Sequence, residues 1–291
     1  MEAEVVSAET SVAELTAKSA DPVAGVRSSG NAVARLRMLG LRSLSILGFF
    51  AIWWGVSWGN ANIYKAFHPA LLPSPAAVFT VGVEFLKSGE LQRHILASLS
   101  RVVQGFLLAA FLGILAGTLV GRSRTMENLI EPVIELLRPI PPLAFLPMMV
   151  LWFGIDEGSK IAFIAYAAFF PIFTTTVEGI KYVDPVLMRA ASSLGASERD
   201  LFRYVVLPAA MPNIITGLRL GFALSFFVIV AAEFIAADSG LGYLINDART
   251  FFLVAQMLLG AGVIGLIGFI ANVLLRRVEG RLLRWRKSER R

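Results

Sequence analysis

Apolar runs long enough to cross a lipid bilayer recur along this sequence, and no other feature narrows the fold as far. A helix needs about 20 mostly apolar residues to span the hydrocarbon core. Residues 42–59, 97–120, 131–153, 160–180, 213–236 and 252–275 approach or meet that length. With 56% of its residues hydrophobic and 16% charged, the chain carries more apolar surface than one aqueous core can hold. The expected fold is all-α and integral to a membrane, with six transmembrane helices.

The basic residues set the expected orientation. With the N-terminus inside, the inner segments carry Lys18, Arg27, Arg35, Arg37 and Arg42, then Arg122, Arg124 and Arg138, then Lys181, Arg189, Arg199, Arg203 and Arg219. The C-terminal tail from Arg276 to Arg291 adds more, and only Lys65, Lys87, Arg93, Arg101, Lys160 and Arg249 remain outside or near the outer boundary. The excess of cations on one side predicts that both termini are cytoplasmic. Trp53, Trp54 and Trp58 then fall at the outer end of the first span, where an aromatic belt sits.

Several chemistries are excluded. The sequence has no cysteine, which removes disulfides, thiolate metal sites and cysteine nucleophiles. Its two histidines, His68 and His94, are too few for an all-histidine metal site. There is no Gly-Lys dipeptide, so the loop GxxxxGK[ST] that cradles nucleotide phosphates cannot be built, and the chain is expected to be neither an enzyme nor a holder of any cofactor. The net charge of +6 flanks apolar runs rather than forming a stripe with interleaved aromatics, which argues against nucleic acid and for the bilayer.

Two kinds of interruption mark the spans. Gly113, Gly117 and Gly121 recur every fourth residue, so one helix face lacks side chains and another helix can approach closely. Gly260, Gly262, Gly265 and Gly268 offer the same to the last span, as a subunit core or a seam between copies. Pro139, Pro141, Pro142 and Pro147 interrupt the third span, where absent amide donors and ring clashes must bend or break the helix. The break is either a hinge lining a translocation path or a turn joining a cytoplasmic helix to the span. Glu178 and Glu233 lie at span ends, where interfacial, structural roles are expected. The outer segment 60–96 is expected to lie on the membrane surface, and the turn-rich run Asp238 to Thr250 is either a connector or a contact for an external partner.

Between the fourth and fifth spans, Leu187, Ala190, Ala191 and Leu194 fall at helical spacing, Gly195 offers a stop, and Ser197 with Asp200 forms a capping-box pattern for a second helix. A helix, turn and helix on the cytoplasmic side is the expected result. It either packs on its own bundle or receives a soluble partner.

The spacing of this loop resembles the EAA loop of binding-protein-dependent ABC importer permeases: EAA, three residues, Gly, nine residues, Ile, any residue, Leu-Pro. Here the positions read Arg189, Ala190, Ala191, Gly195, Val205, Leu207 and Pro208, with Arg189 in place of the usual glutamate and Val205 in place of isoleucine. The stretch LRPIPPLAFLPMMVLWFGIDEGSK further resembles the sulfonate, taurine and nitrate branch, and the likeness covers residues from about 90 to 280. The resemblance implies a type I importer permease bundle working as two copies in a bacterial inner membrane. Two cytoplasmic ATPase subunits would bind ATP and magnesium, and an external solute-binding protein would deliver a small anion such as an alkanesulfonate, taurine or nitrate. It makes Ala190, Ala191 and Gly195 part of a coupling helix seated in the ATPase. The competing readings are an ion-gradient-driven secondary transporter and a non-transporting scaffold subunit.

The expected organisation is a disordered cytoplasmic tail over residues 1–40 and a first anchor with its outer segment over 41–96. A permease core follows over 97–277, with the coupling loop at about 184–210, and then a basic tail over 278–291.

Overall fold

The structure is a computed structural model that describes residues 26–283. What the sequence led us to expect of residues 1–25, and of the basic tail beyond 283, lies outside the described residues. The chain divides into two compact units, one ending at Ala66 and one beginning at Phe67.

In the first unit, α1 (Val26–Gly59) passes into one wider π turn, Asn60–Tyr64, and stops at Lys65 in the left-handed region. Its start at Val26 makes residues 26–40 helical, where a disordered tail was expected to reach residue 40. Leu44, Leu47, Phe49, Ile52 and Trp54 are all more than half exposed. Side chains of that kind left bare on successive faces fit a hydrocarbon surrounding rather than water.

The second unit holds α2 (Pro75–Ser88), α3 (Glu90–Arg122), α4 (Arg124–Leu137), α5 (Pro142–Phe153), α6 (Glu157–Lys181), α7 (Pro185–Ser193), α8 (Glu198–Asp200), α9 (Leu207–Ala236), α10 (Leu241–Thr250) and α11 (Val254–Leu282). Among the described residues, α3, α6, the stretch Glu198–Ile235 and α11 are long and apolar enough to cross a membrane. The expected third span is not one rod. Its two halves, α4 and α5, meet at 99°, because Pro139, Pro141 and Pro142 withhold amide hydrogens and Pro142 restarts the helix at its first turn. Counting that pair as one span gives five. The remaining expected span, 42–59, falls in α1, whose apolar run is diluted by Arg42 and three tryptophans.

The core is built on α6, half of whose apolar stretch is buried against 6% for α11. It lies between α3 and α9, and both approach it through small residues. A side chain added at Gly105, Gly113, Gly117 or Gly121 of α3 would meet Ile164, Ile172, Thr176 or Ile180 within 3 Å, and Ala109 fills the remaining place in that four-residue rhythm. Gly217 and Gly221 of α9 pack as closely on the other side of α6, against Thr175 and Ile172. Packing of this kind gains dispersion contacts where lipid supplies no hydrophobic drive between helices.

Two connecting segments take helical form. The outer segment folds as α2, capped by Ser74 and ended at Gly89 (φ +83°), with Gly82 against Leu259 of α11. The run 238–250 is mostly helix rather than a string of turns. Leu241 and Leu244 of α10 pack with Val263, Ile264 and Ile267 of α11, and Ile245 fills the space above Gly260. Tertiary packing of that apolar face outweighs the turn-forming Gly and Asn of the segment.

Candidate functional site

The hairpin between α6 and α9 is built from local rules. Asp184 accepts a hydrogen bond from the Val186 amide and Pro185 takes the first helical position, which starts α7. The helix ends when Ala196 N–H donates to Ala191 O and Gly195 N–H donates to Ser192 O, a six-to-one and five-to-two pair. That ending needs a left-handed residue, and Gly195 supplies it at φ +83°. Ser197 and Asp200 then form the reciprocal capping box that opens α8.

From α8 the chain enters a π turn, Leu201–Val206, in which Leu207 N–H reaches back five residues to Phe202 O, and continues directly into α9. Pro208 follows at once. In a regular helix its ring would press on the carbonyl of Tyr204, and the wider turn relieves that contact. Val205 is half-buried, Leu207 packs inward and Pro208 is exposed.

The hairpin has two faces. Met188, Phe202 and Leu207 pack on a cluster of Ile180, Val206, Ala210 and Ile214, and the Arg122 guanidinium lies 5.1 Å over the Phe202 ring. Lys181, at the end of α6, bonds Glu127 of α4 at 2.6 Å. Val186, Leu187, Arg189, Ala190 and Leu194 point the other way and are exposed, Leu194 at 89%. A groove of about 330 Å³ opens between Arg122, Met188, Glu198 and Phe202. The arrangement holds one face rigidly on the bundle and leaves an apolar, cationic face free for another surface.

At the other end of the bundle the structure assembles charges whose partnership the sequence did not reveal. Arg101 of α3 is 2% exposed and donates to both Glu157 oxygens at 2.6 and 2.7 Å, to Glu233 at 2.8 Å, and to Ser239. Glu233 is 1% exposed, not interfacial as its span-end position suggested, and also accepts from Ser98 and from Gly242 N–H. Lys160 adds a bond to Glu157 at 2.9 Å. The signal available was an arginine and a glutamate each inside an apolar run, which in a membrane span marks function by default. Glu178, by contrast, is exposed.

Pro139, Pro141 and Pro142 occupy the bend between α4 and α5, and Pro147 lies inside α5. Gly55, Ser57 and Gly59 spell the nucleophile-elbow pattern GxSxG, but they fall inside or at the end of α1, with no strand-to-helix turn to present the serine. No group of three or more metal-ligating side chains forms among the described residues.

A helical membrane bundle with a separately capped hairpin on one end and a broken proline span beside it has the architecture of an importer's membrane subunit. The sequence matches the family described as binding-protein-dependent transport system inner membrane component over residues 109–284, and the chain belongs to that family. It is 38% identical to the taurine transport system permease protein of Escherichia coli, over 87% of this chain and 91% of that one. It is 34% identical to the bicarbonate transport system permease protein of Synechococcus elongatus, over 90% of this chain and 95% of the other. Among solved structures, an inward-facing methionine ABC transporter superposes with a TM-score of 0.54 at 17% identity, covering 66% of this chain and 97% of its counterpart. The protein is therefore a type I ABC importer permease, a multi-pass membrane component of a family that works with ATPase and solute-binding partners.

Proposed function

We propose that this permease imports a small anion, of the alkanesulfonate, taurine or nitrate class, delivered by an external binding protein and driven by a separate ATPase. The taurine and bicarbonate relatives support an anionic, oxygen-rich solute. Two copies of the chain form the pathway, with both termini cytoplasmic and the α4–α5 proline bend lining it. ATP and magnesium are bound by the ATPase, and this chain holds no cofactor.

The observation that carries the reading is the exposed face of the hairpin, Arg189, Ala190 and Leu194 with Ala191 half-buried beside them, on a helix whose capped partner arm runs without interruption into α9. Gly195, Val205, Leu207 and Pro208 shape that element: Gly195 ends α7, and Pro208 requires the π turn into α9. Closure of the ATPase pair around nucleotide biases one of two conformations, and a hairpin joined to a span without a flexible break transmits the bias. Glu233 is the kind of buried carboxylate an ion-driven carrier would use, but its oxygens are held by Ser98, Arg101 and Gly242.

Copurification tests the reading. A crosslinker placed at Ala191→Cys should capture an ATP-binding subunit from the cytoplasmic side. Labelling of that cysteine only from outside, or capture of no nucleotide-binding protein, would remove the assignment.

A further inference from the structure

The charge cluster around Arg101 lies at the end of α9 away from the hairpin, and the transport reading so far leaves it without a role. Ser239, Gly240, Leu241 and Gly242 join α9 to α10, and each is tied to a side chain of α3 or α9. Ser239 O accepts from Arg101 at 2.5 Å, and Gly240 N–H donates to His94 Nδ1 at 3.0 Å. Leu241 N–H donates to Ser98 Oγ at 2.8 Å, and Gly242 N–H to Glu233 at 2.7 Å. The last two amides open α10, so Glu233 sets a negative charge on the positive end of that helix. Gly240, at φ +120°, and Gly242 lie so close to Glu233 that a side chain at either would collide with it.

The cluster balances its own charge. Arg101 and Lys160 face Glu157 and Glu233, and no buried side-chain nitrogen or oxygen among the described residues lacks a partner. At its centre Arg101 and Glu233 are both buried, and separating them would strand a charge at low dielectric, whereas Glu157, at the edge, has a half-exposed side chain. The Arg101–Glu233 pair therefore resists hinge motion at the junction. From it, α9 runs 30 residues, about 45 Å at the helical rise, to the π turn and the hairpin.

We propose that Arg101 and Glu233 are positioning residues for transport: they weld α10 to α3 and α9, so that engagement of the external binding protein reaches the coupling hairpin along α9. The proposal rests on the importer reading above. The outward surface of the weld is Asp247, Arg249, Phe251 and Phe252, all exposed, with Phe252 held at φ +57°. A push on that surface finds no joint before the hairpin.

The test uses the permease with its ATPase in liposomes, measuring ATP hydrolysis without and with the external binding protein, with taurine as the probe solute. Glu233→Gln keeps the shape and removes the charge. Its basal hydrolysis and ATPase copurification should stay within about twofold of the wild type, while stimulation by the binding protein falls about tenfold. Arg101→Lys should retain more of that stimulation than Arg101→Gln, since lysine keeps the charge and loses only the fork. Equal stimulation of Glu233→Gln and wild type overturns the proposal, whereas a wild type that is not stimulated overturns the taurine-class assignment of the solute instead. A second measurement does not depend on either variant folding. The chain has no cysteine, so spin labels at Arg93→Cys on α3 and Asp247→Cys on α10 report one distance across the weld. That distance should stay narrow and unchanged on trapping with ATP and vanadate, and a shift with nucleotide would show that α10 moves on its own.

Discussion

Helices α3 and α11 both carry glycine at helix-packing spacing, and they use it in opposite ways. On α3, Gly113, Gly117 and Gly121 are filled by Ile172, Thr176 and Ile180 of α6, with the backbone of α6 within 3.4 Å of where each Cβ would be. On α11, Gly262, Gly265 and Gly268 meet nothing within 4 Å. Gly265 and Gly268 instead border an apolar groove of about 570 Å³ with Leu143, Phe226, Phe227 and Phe234. Spacing shows that a helix can be approached closely, and only the fold shows whether the approach is made inside the chain.

The largest expected effect lies on the filled side. Gly117→Val puts a branched side chain 2.8 Å from Thr176 Cβ and 3.0 Å from the Phe173 carbonyl, and a helix backbone cannot yield as a flexible side chain does. The α3–α6 seam should lose about 3 kcal/mol or more. Thermal unfolding in detergent should show a fall of many degrees, and an unchanged midpoint would mean that α3 and α6 do not pack as described.

On the open side the same enlargement should spare the protomer and strike assembly. Gly265→Leu should leave the unfolding midpoint of the isolated chain in place while weakening two-copy association by about tenfold, or 1.4 kcal/mol, if the second copy seats on this face. Crosslinking yield against protein concentration reads the second effect. A two-copy complex that forms as well in Gly265→Leu as in the wild type places the seam elsewhere.

Gly195 differs from both stripes, because its use is conformational. A Cβ there meets open space, yet φ is +83°, so Gly195→Ala should cost about 1 kcal/mol through backbone strain alone. The cost falls on the turn, not on the bundle. ATPase copurification should drop several-fold with the unfolding midpoint nearly unmoved, and a loss of both would mean that the turn supports the bundle itself.

These contrasts mark how much was legible. The glycine rhythm of α3, the capping box at Ser197 and the stop at Gly195 are local, and local chemistry is written in consecutive residues. The proline break was readable as an interruption, but its 99° angle depends on what α4 and α5 rest against. Arg101 and Glu233 lie 132 residues apart, and nothing near either names the other. Helix α10 was obscured for a related reason: its Gly and Asn resemble turn residues until α11 and Glu233 are in place to bury and cap them. The stop at Gly195 was clear in the sequence, and the structure adds the left-handed turn that calls for glycine there.

The smallest effect separates the two stripes most sharply, because one substitution should change sign between them. Glycine inside a helix costs roughly 0.5–1 kcal/mol relative to alanine, so Gly262→Ala, with open space around it, should stabilise the isolated chain by up to that amount. Gly113→Ala gains the same backbone term, but its methyl group would stand 2.9 Å from Ile172 Cγ2 and 3.3 Å from the Phe173 nitrogen, and the crowding should outweigh the gain. Paired unfolding measurements on the two alanine variants therefore test the packing without disrupting it. If both shift the midpoint upward, α6 has room to retreat and the α3 seam is looser than its geometry. If both shift it downward, a neighbour occupies the α11 face even in the isolated chain.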